Sequence, residues 1–134
     1  MSEKKVFCSE KAPKPKGPYS QAVIHNGLLY ISGQIPVNPE TGIIVRGTIE
    51  EEAEIVLNNI KAIIEDAGAG MKDVLKVTCY LADMDDFERF NNVYKEYFRE
   101  EPPARTTIEA KRLPLDVRVE IDAVVSIRNT DDHR

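Results

Sequence analysis

Residues 19–34 read Tyr19-Ser-Gln-Ala-Val-Ile-His-Asn-Gly-Leu-Leu-Tyr-Ile-Ser-Gly-Gln34, and this pattern predicts a β-hairpin. Asn26 and Gly27 supply the two positive-φ residues of a type I′ turn between two strand-like runs. A two-residue loop fixes the register, so His25 should lie opposite Leu28. Because side chains alternate along a strand, the hairpin has one apolar face and one face that is polar toward its far end. The apolar face holds Ala22, Ile24, Leu29 and Ile31, and the other holds Tyr19, Gln21, Ser32 and Gln34.

Two helices are predicted beyond the hairpin. Thr48 and Glu51 form a capping box, and apolar residues then recur at helical spacing until Gly68 ends the helix. The second helix begins at Asp83 or Asp85. Its aromatic residues recur on one side, which indicates a buried stripe rather than a stacking platform.

Three further strands are predicted at residues 74–81, 104–111 and 117–127. The last two are separated by a short loop, which favours a hairpin between them. Strand pairs of this kind with two crossover helices indicate an α+β fold. We expect a single mixed, largely antiparallel sheet with both helices on one face.

The other face of this sheet is left uncovered in the predicted fold. A small domain with a broad sheet most economically buries such a face against another subunit. The side chains predicted to lie there are Tyr19, Gln21, Ser32, Gln34, Lys76, Tyr80, Arg105, Thr107 and Glu120.

Length and composition limit the classes of function. The 134 residues predict one domain, 1–134, with an extended arm at about 9–18 and a flexible tail at about 129–134. The net charge of −5 argues against a dedicated nucleic-acid binder. No apolar run could span a membrane and no secretory signal is visible, so we expect a cytoplasmic protein. With two histidines and two cysteines, a histidine-rich metal site or a disulfide framework is not expected.

Arg105, Glu120 and Tyr19 form the candidate catalytic group. An arginine fork on a strand binds a carboxylate bidentately, and a nearby glutamate can orient a water molecule. A structural alternative competes with this interpretation. If the hairpin register set Arg105 opposite Asp122, the two side chains would form an ordinary cross-strand ion pair. The residues alone leave both possibilities open.

Four blocks in order resemble the RidA family, the YjgF-type reactive intermediate deaminases. They are Gly17-Pro-Tyr-Ser-Gln-Ala22, Ile31-Ser-Gly-Gln-Ile-Pro36, Pro103-Ala-Arg105 and Leu113-Pro-Leu-Asp-Val-Arg-Val-Glu-Ile121. The resemblance implies a chorismate-mutase-like fold and a homotrimer with sites between subunits. It also implies hydrolysis of 2-imino and enamino acids, such as 2-iminopropanoate and 2-iminobutanoate, to 2-keto acids and ammonia. These intermediates leave pyridoxal-phosphate-dependent dehydratases, and the reaction needs no cofactor and no metal.

The resemblance also assigns roles to single residues. Arg105 would bind the substrate carboxylate, Glu120 would position the water, and Tyr19 would complete the catalytic set. Ser32 and Gly33 would line the pocket together with Thr107, which stands where the family often has cysteine.

Two other classes of function remain open at this stage. One is a non-catalytic regulatory trimer that binds small acids in the same clefts. The other is an RNA-acting or chaperone-like protein. The basic stretch that RNA binding would use holds Lys4, Lys5, Lys11, Lys14 and Lys16, which we interpret as a solvated arm.

Overall fold

The computed structural model describes residues 3–127. It contains six strands and two helices. These are β1 Lys5–Phe7, β2 Ala22–His25, β3 Leu28–Gln34, α1 Ile49–Asp66, β4 Val74–Leu81, α2 Phe87–Tyr97, β5 Ala104–Glu109 and β6 Val119–Ser126. The predicted tail at 129–134 lies outside the described residues. No helix in residues 3–127 is long and apolar enough to cross a membrane.

All six strands form one sheet in the order β1-β2-β3-β6-β4-β5. Neighbouring strands are antiparallel except β4 and β5, which run parallel. Both helices pack on one face, where their apolar residues and those of the sheet form the core. The predicted fold class is therefore confirmed, although the short edge strand β1 was not predicted.

The central hairpin has the predicted register near its turn. His25 lies opposite Leu28, and Asn26 and Gly27 both have positive φ. The register shifts between Ile31 and Gln34 where β3 meets β6. A bulge of this kind reverses which face the next side chain points to. The prediction that Gln34 lies on the open face is therefore wrong, since it is 7% exposed on the core side.

A second irregularity lies at the start of β4. The register with β6 shifts between Val74 and Lys76, so Val74 is buried and Leu75 is 49% exposed. Strict alternation along residues 74–81 would place Leu75 on the apolar face with Val77, and the structure shows that it does not lie there. Uninterrupted alternation was assumed, and a bulge inverts it at one position.

The first helix begins as predicted. Thr48 Oγ1 accepts a hydrogen bond from the Glu51 amide, and the Glu51 carboxylate accepts one from the Thr48 amide, which completes the capping box. Asp83 caps a short 3₁₀ turn, Met84–Asp86, that leads directly into α2. The aromatic stripe of α2 is buried at its centre, but Phe87 at its first residue is exposed.

The closing strands do not form a hairpin with each other. β4 lies between β5 and β6, so β5 occupies a sheet edge and pairs only with β4 among the described strands. Arg105 is the partner of Val77, and Asp122 is the partner of Thr78 on the other side of β4. The register that would pair Arg105 with Asp122 is therefore wrong.

The arm before the hairpin is not a free, solvated segment. Ser9 and Ala12 are buried, and the side chain of Gln21 is buried beneath the arm. Ser9 N–H donates to Gln21 Oε1 at 2.7 Å, and Gln21 Nε2 donates to the carbonyls of Ser9 at 3.2 Å and Pro13 at 2.9 Å. The predicted placement of Gln21 on an uncovered face is wrong because the arm packs over it.

Candidate active site

Arg105 points toward the helices. Its strand partner Val77 belongs to the core, and paired residues in a sheet project to the same side. Its Nη1 donates to Asn91 Oδ1 of α2 at 2.9 Å. The guanidinium carbon lies 4.5 Å from the ring centroid of Tyr94 and 5.6 Å from that of Phe87. These contacts hold the guanidinium by one hydrogen bond and by cation–π attraction.

The guanidinium of Arg105 has no acidic partner among the described residues. Within residues 3–127, no carboxylate oxygen lies within 4.0 Å of its nitrogens. The side chain is only partly buried, so its remaining donors can reach a ligand. An arginine fixed in this way on a strand is suited to bind an incoming carboxylate.

Within residues 3–127, two buried hydroxyls beside Arg105 lack hydrogen-bond partners. They are Tyr94 Oη and Thr107 Oγ1. Tyr94 stacks beneath the guanidinium, and Thr107 projects from β5 to the same side as Arg105. Since buried polar groups are normally paired, unpaired hydroxyls indicate a place where a ligand or water binds. We call Arg105, Asn91, Phe87, Tyr94 and Thr107 the arginine cluster.

Cys79 is the strand partner of Thr107 and lies fully buried. Burial raises the pKa of the Cys79 thiol to about 12. The thiol is therefore protonated at neutral pH and is a poor nucleophile. Burial likewise raises the pKa of the Tyr94 hydroxyl.

Glu120 projects to the opposite, uncovered side of the sheet. Its strand partner is Tyr80, three residues along β4 from Val77, and an odd spacing reverses the face. Burial raises the pKa of Glu120, and the neighbouring Asp122 carboxylate raises it further. A carboxylate with a raised pKa is a stronger base and a better proton shuttle near neutral pH.

Gly33 leaves room for the Glu120 carboxylate because it has no side chain. A β-carbon at position 33 would lie 2.9 Å from Glu120 Cδ and closer still to Oε2. Gly33 and Tyr19 line one cleft, and Tyr19 is 54% exposed there. Ser32 Oγ donates to the Ser20 carbonyl at 2.6 Å, so its proton is used within the chain. We call Glu120, Gly33, Tyr19 and Ser32 the glutamate cluster.

The predicted site residues therefore fall into two clusters on opposite faces of the sheet. The prediction that Arg105 and Thr107 share the uncovered face with Glu120 is wrong, because it assumed that β5 pairs with β6. The sequence prediction also missed Asn91, which could have been noticed one turn after Phe87 on α2. Among residues 3–127, no group of three or more histidine, cysteine or acidic side chains could hold a metal ion.

Comparison with known proteins shows the family. The model of the endoribonuclease L-PSP family matches residues 9–127. The chain belongs to this family, which is the RidA/YjgF family. A RutC family protein from Pyrococcus abyssi is 54% identical over 121 residues, which cover 90% of this chain and 95% of the relative.

Two other members of the RidA family bear on function. A protein from Dermatophagoides farinae named 2-iminobutanoate/2-iminopropanoate deaminase is 43% identical over 127 residues, covering 95% of this chain and 99% of the relative. TdcF of E. coli, solved with bound serine, is 38% identical with a TM-score of 0.86. That match covers 93% of this chain and 99% of TdcF.

Proposed function

We propose that the protein is a deaminase that hydrolyses reactive 2-imino and enamino acids to 2-keto acids and ammonia. Its substrates would include 2-iminopropanoate and 2-iminobutanoate, released in the cytoplasm by pyridoxal-phosphate-dependent dehydratases. The deaminase name of one relative and the serine bound to another support a small acid as the ligand.

The observation that carries the proposal is that Arg105 has no acidic partner within residues 3–127. Holding a cation on an edge strand without an acidic partner costs desolvation energy that an incoming carboxylate offsets. Asn91 and the ring of Tyr94 fix the guanidinium in place, so its free donors are oriented before the ligand arrives. Thr107 Oγ1, which lies beside the Cys79 thiol, adds a further hydroxyl next to Arg105.

The mechanism follows from these groups. Arg105 binds the substrate carboxylate and fixes the imine carbon. Glu120 accepts a proton from water as the water oxygen bonds to that carbon, and it passes this proton to the imine nitrogen, which returns Glu120 to its carboxylate form. The carbinolamine passes its hydroxyl proton through Glu120 to the amine, the C–N bond breaks, and ammonia leaves with the 2-keto acid. The raised pKa of Glu120 suits both proton transfers.

We further propose that the working unit is a homotrimer with its sites between subunits. Arg105 and Glu120 lie on opposite faces of one sheet, so a single chain does not present them to one ligand. A neighbouring subunit that covers the open face can bring its own Arg105 to this chain's Glu120. Closed rings of identical subunits repeat such a contact at each interface.

The test compares Arg105→Ala with Arg112→Ala. Arg112 is a matched control because it is 80% exposed and outside both clusters. A pyridoxal-phosphate-dependent dehydratase generates 2-aminoacrylate from serine in situ, and ammonia release is measured with and without the protein. We expect the wild type and Arg112→Ala to accelerate hydrolysis. Arg105→Ala should lose about 100-fold in kcat/KM, the size of a lost bidentate charge-assisted contact.

Other outcomes would point to the other functions. An unchanged rate in Arg105→Ala would exclude the assigned role of this residue. Binding of 2-ketobutyrate without faster imine hydrolysis would favour a non-catalytic regulatory protein. Because the matched family carries an endoribonuclease description, the same preparations should be assayed on RNA.

A further inference from the structure

A cleft of about 280 Å³ lies beside the glutamate cluster and has no role in the mechanism above. The arm forms one wall, and the loop after β3 and the turn before β6 form the others. Tyr19 and Gly33 line it, and Gly33 packs against the Glu120 carboxylate. Gly33 is therefore shared between the cleft and the contact with the Glu120 carboxylate, which places the cleft next to the glutamate cluster. Its apolar lining residues include Ile35, Val37, Ile44, Pro114 and Leu115.

The cleft is built into the fold rather than formed by a loose segment. Gln21 holds the arm by three hydrogen bonds to Ser9 and Pro13. Lys16 Nζ donates to the Gly42 carbonyl at 2.8 Å, which ties the arm to the loop after β3. The wall is thus fixed at both ends before any ligand binds.

The volume of the cleft and the chemistry of its lining residues indicate which kind of ligand group it binds. Pockets for drug-sized ligands measure roughly 300–1,000 Å³, so this cleft suits a small group. Its charged lining groups are Lys14 and Lys16, and Lys16 is engaged with Gly42. The aliphatic side chains on its walls favour a hydrocarbon group over a phosphate or a sugar.

We propose that this cleft binds the side chain of the substrate, so the protein prefers imino acids with branched or long aliphatic side chains over 2-iminopropanoate. This inference rests on the proposed function. Arg105 binds the carboxylate that all the substrates share. The cleft contacts the side chain, which differs from one substrate to the next. One methylene in an apolar pocket changes kcat/KM by about 10-fold or more.

The test compares imines made in situ from leucine and alanine by an amino-acid oxidase. In the wild type, we expect kcat/KM for the leucine-derived imine to exceed that for the alanine-derived imine by about 10-fold or more. Ile44→Trp fills the cleft and should reduce this preference by about 10-fold. Ile43→Trp is the matched control, because Ile43 is the next residue, is 66% exposed and does not line the cleft. It should retain the wild-type preference.

A binding measurement separates this inference from the proposed function. Calorimetry compares 4-methyl-2-oxopentanoate with pyruvate on the wild type and both tryptophan variants. Tighter binding of the longer acid, lost in Ile44→Trp alone, supports the cleft even if no imine is hydrolysed. Equal affinities, or an equal loss in both variants, would overturn it. Leu115→Asn is a second variant in case Ile44→Trp does not fold, since asparagine tolerates the φ of 56° at this position. It should also weaken binding of the longer acid.

Discussion

The carboxylate of Glu120 occupies the space where any other residue at position 33 would place its β-carbon. Gly33 is thus required for room rather than for an unusual backbone angle, because its φ is not in the positive region. The Ser-Gly pair before Gln34 was predicted as pocket lining only from the family resemblance. The structure adds a physical reason for a glycine at this position, since any β-carbon there would overlap the Glu120 carboxylate.

Gly33→Ala should displace the Glu120 carboxylate and disable water positioning while the protein stays folded. The clash falls on the movable end of a side chain, so we expect the free energy of unfolding to change by about 1 kcal/mol or less. A displacement of about 1 Å at a reacting group can cost about 100-fold in rate, and we expect a loss of that size in kcat/KM. Gly70→Ala is the control, because its β-carbon would meet nothing closer than 4.0 Å. Full activity in Gly33→Ala would show that Glu120 does not act from its present position.

The arm, at about residues 9–18, is the element whose structure was predicted least well from its amino-acid composition. Its prolines and lysines predicted an extended, solvated segment, but it contains a turn at residues 10–11, and Ser9 and Ala12 within it are buried. The side chain that holds it, Gln21, belongs to the hairpin and lies 12 residues from Ser9 in sequence. A buried glutamine in an alternating strand looks like any other polar position, so no local pattern showed what it binds.

Gln21→Leu should release the arm. It leaves the Ser9 amide and two carbonyls without their partner, and we expect a loss of about 3 kcal/mol in the free energy of unfolding. The control is Gln34→Leu, which removes a buried glutamine that bonds the Ser32 carbonyl rather than the arm. Brief trypsin digestion should cleave after Lys11 or Lys16 in Gln21→Leu before it cleaves the control. Equal protection of the arm in both variants would contradict its attachment through Gln21.

Elements with a local signature were predicted well. The Asn26-Gly27 turn and the Thr48–Glu51 capping box each depend on residues a few positions apart, and both have the expected geometry. No local sequence pattern predicts which strand pairs with β5. A short loop between two strands favours a hairpin, but here the chain crosses β4 before it enters the sheet again. The bulges in β3 and β4 were missed for the same reason, since the partner strand determines them.

At the scale of the whole molecule, that one strand order decides how the site is assembled. Because β5 lies parallel to β4 at the sheet edge, the Arg105 side chain points toward α2. The Glu120 side chain lies on the uncovered face. The sequence named Arg105 and Glu120 as candidate site residues, but it placed them on the same face. Because Arg105 and Glu120 lie on opposite faces, the proposed mechanism requires an assembly in which one subunit supplies the arginine and the next supplies the glutamate.

Mixed oligomers of two inactive variants test this assembly. Arg105→Ala and Glu120→Gln chains with different affinity tags are co-expressed, and oligomers holding both are isolated by sequential purification. In a cyclic trimer of mixed composition, one interface in three joins an intact Arg105 to an intact Glu120, so about a third of the wild-type activity should return. Each variant alone should stay inactive, and mixing the two after separate purification without exchange should restore nothing. If each chain built a complete site by itself, the mixed oligomers would remain as inactive as their parents, and the shared site would be excluded.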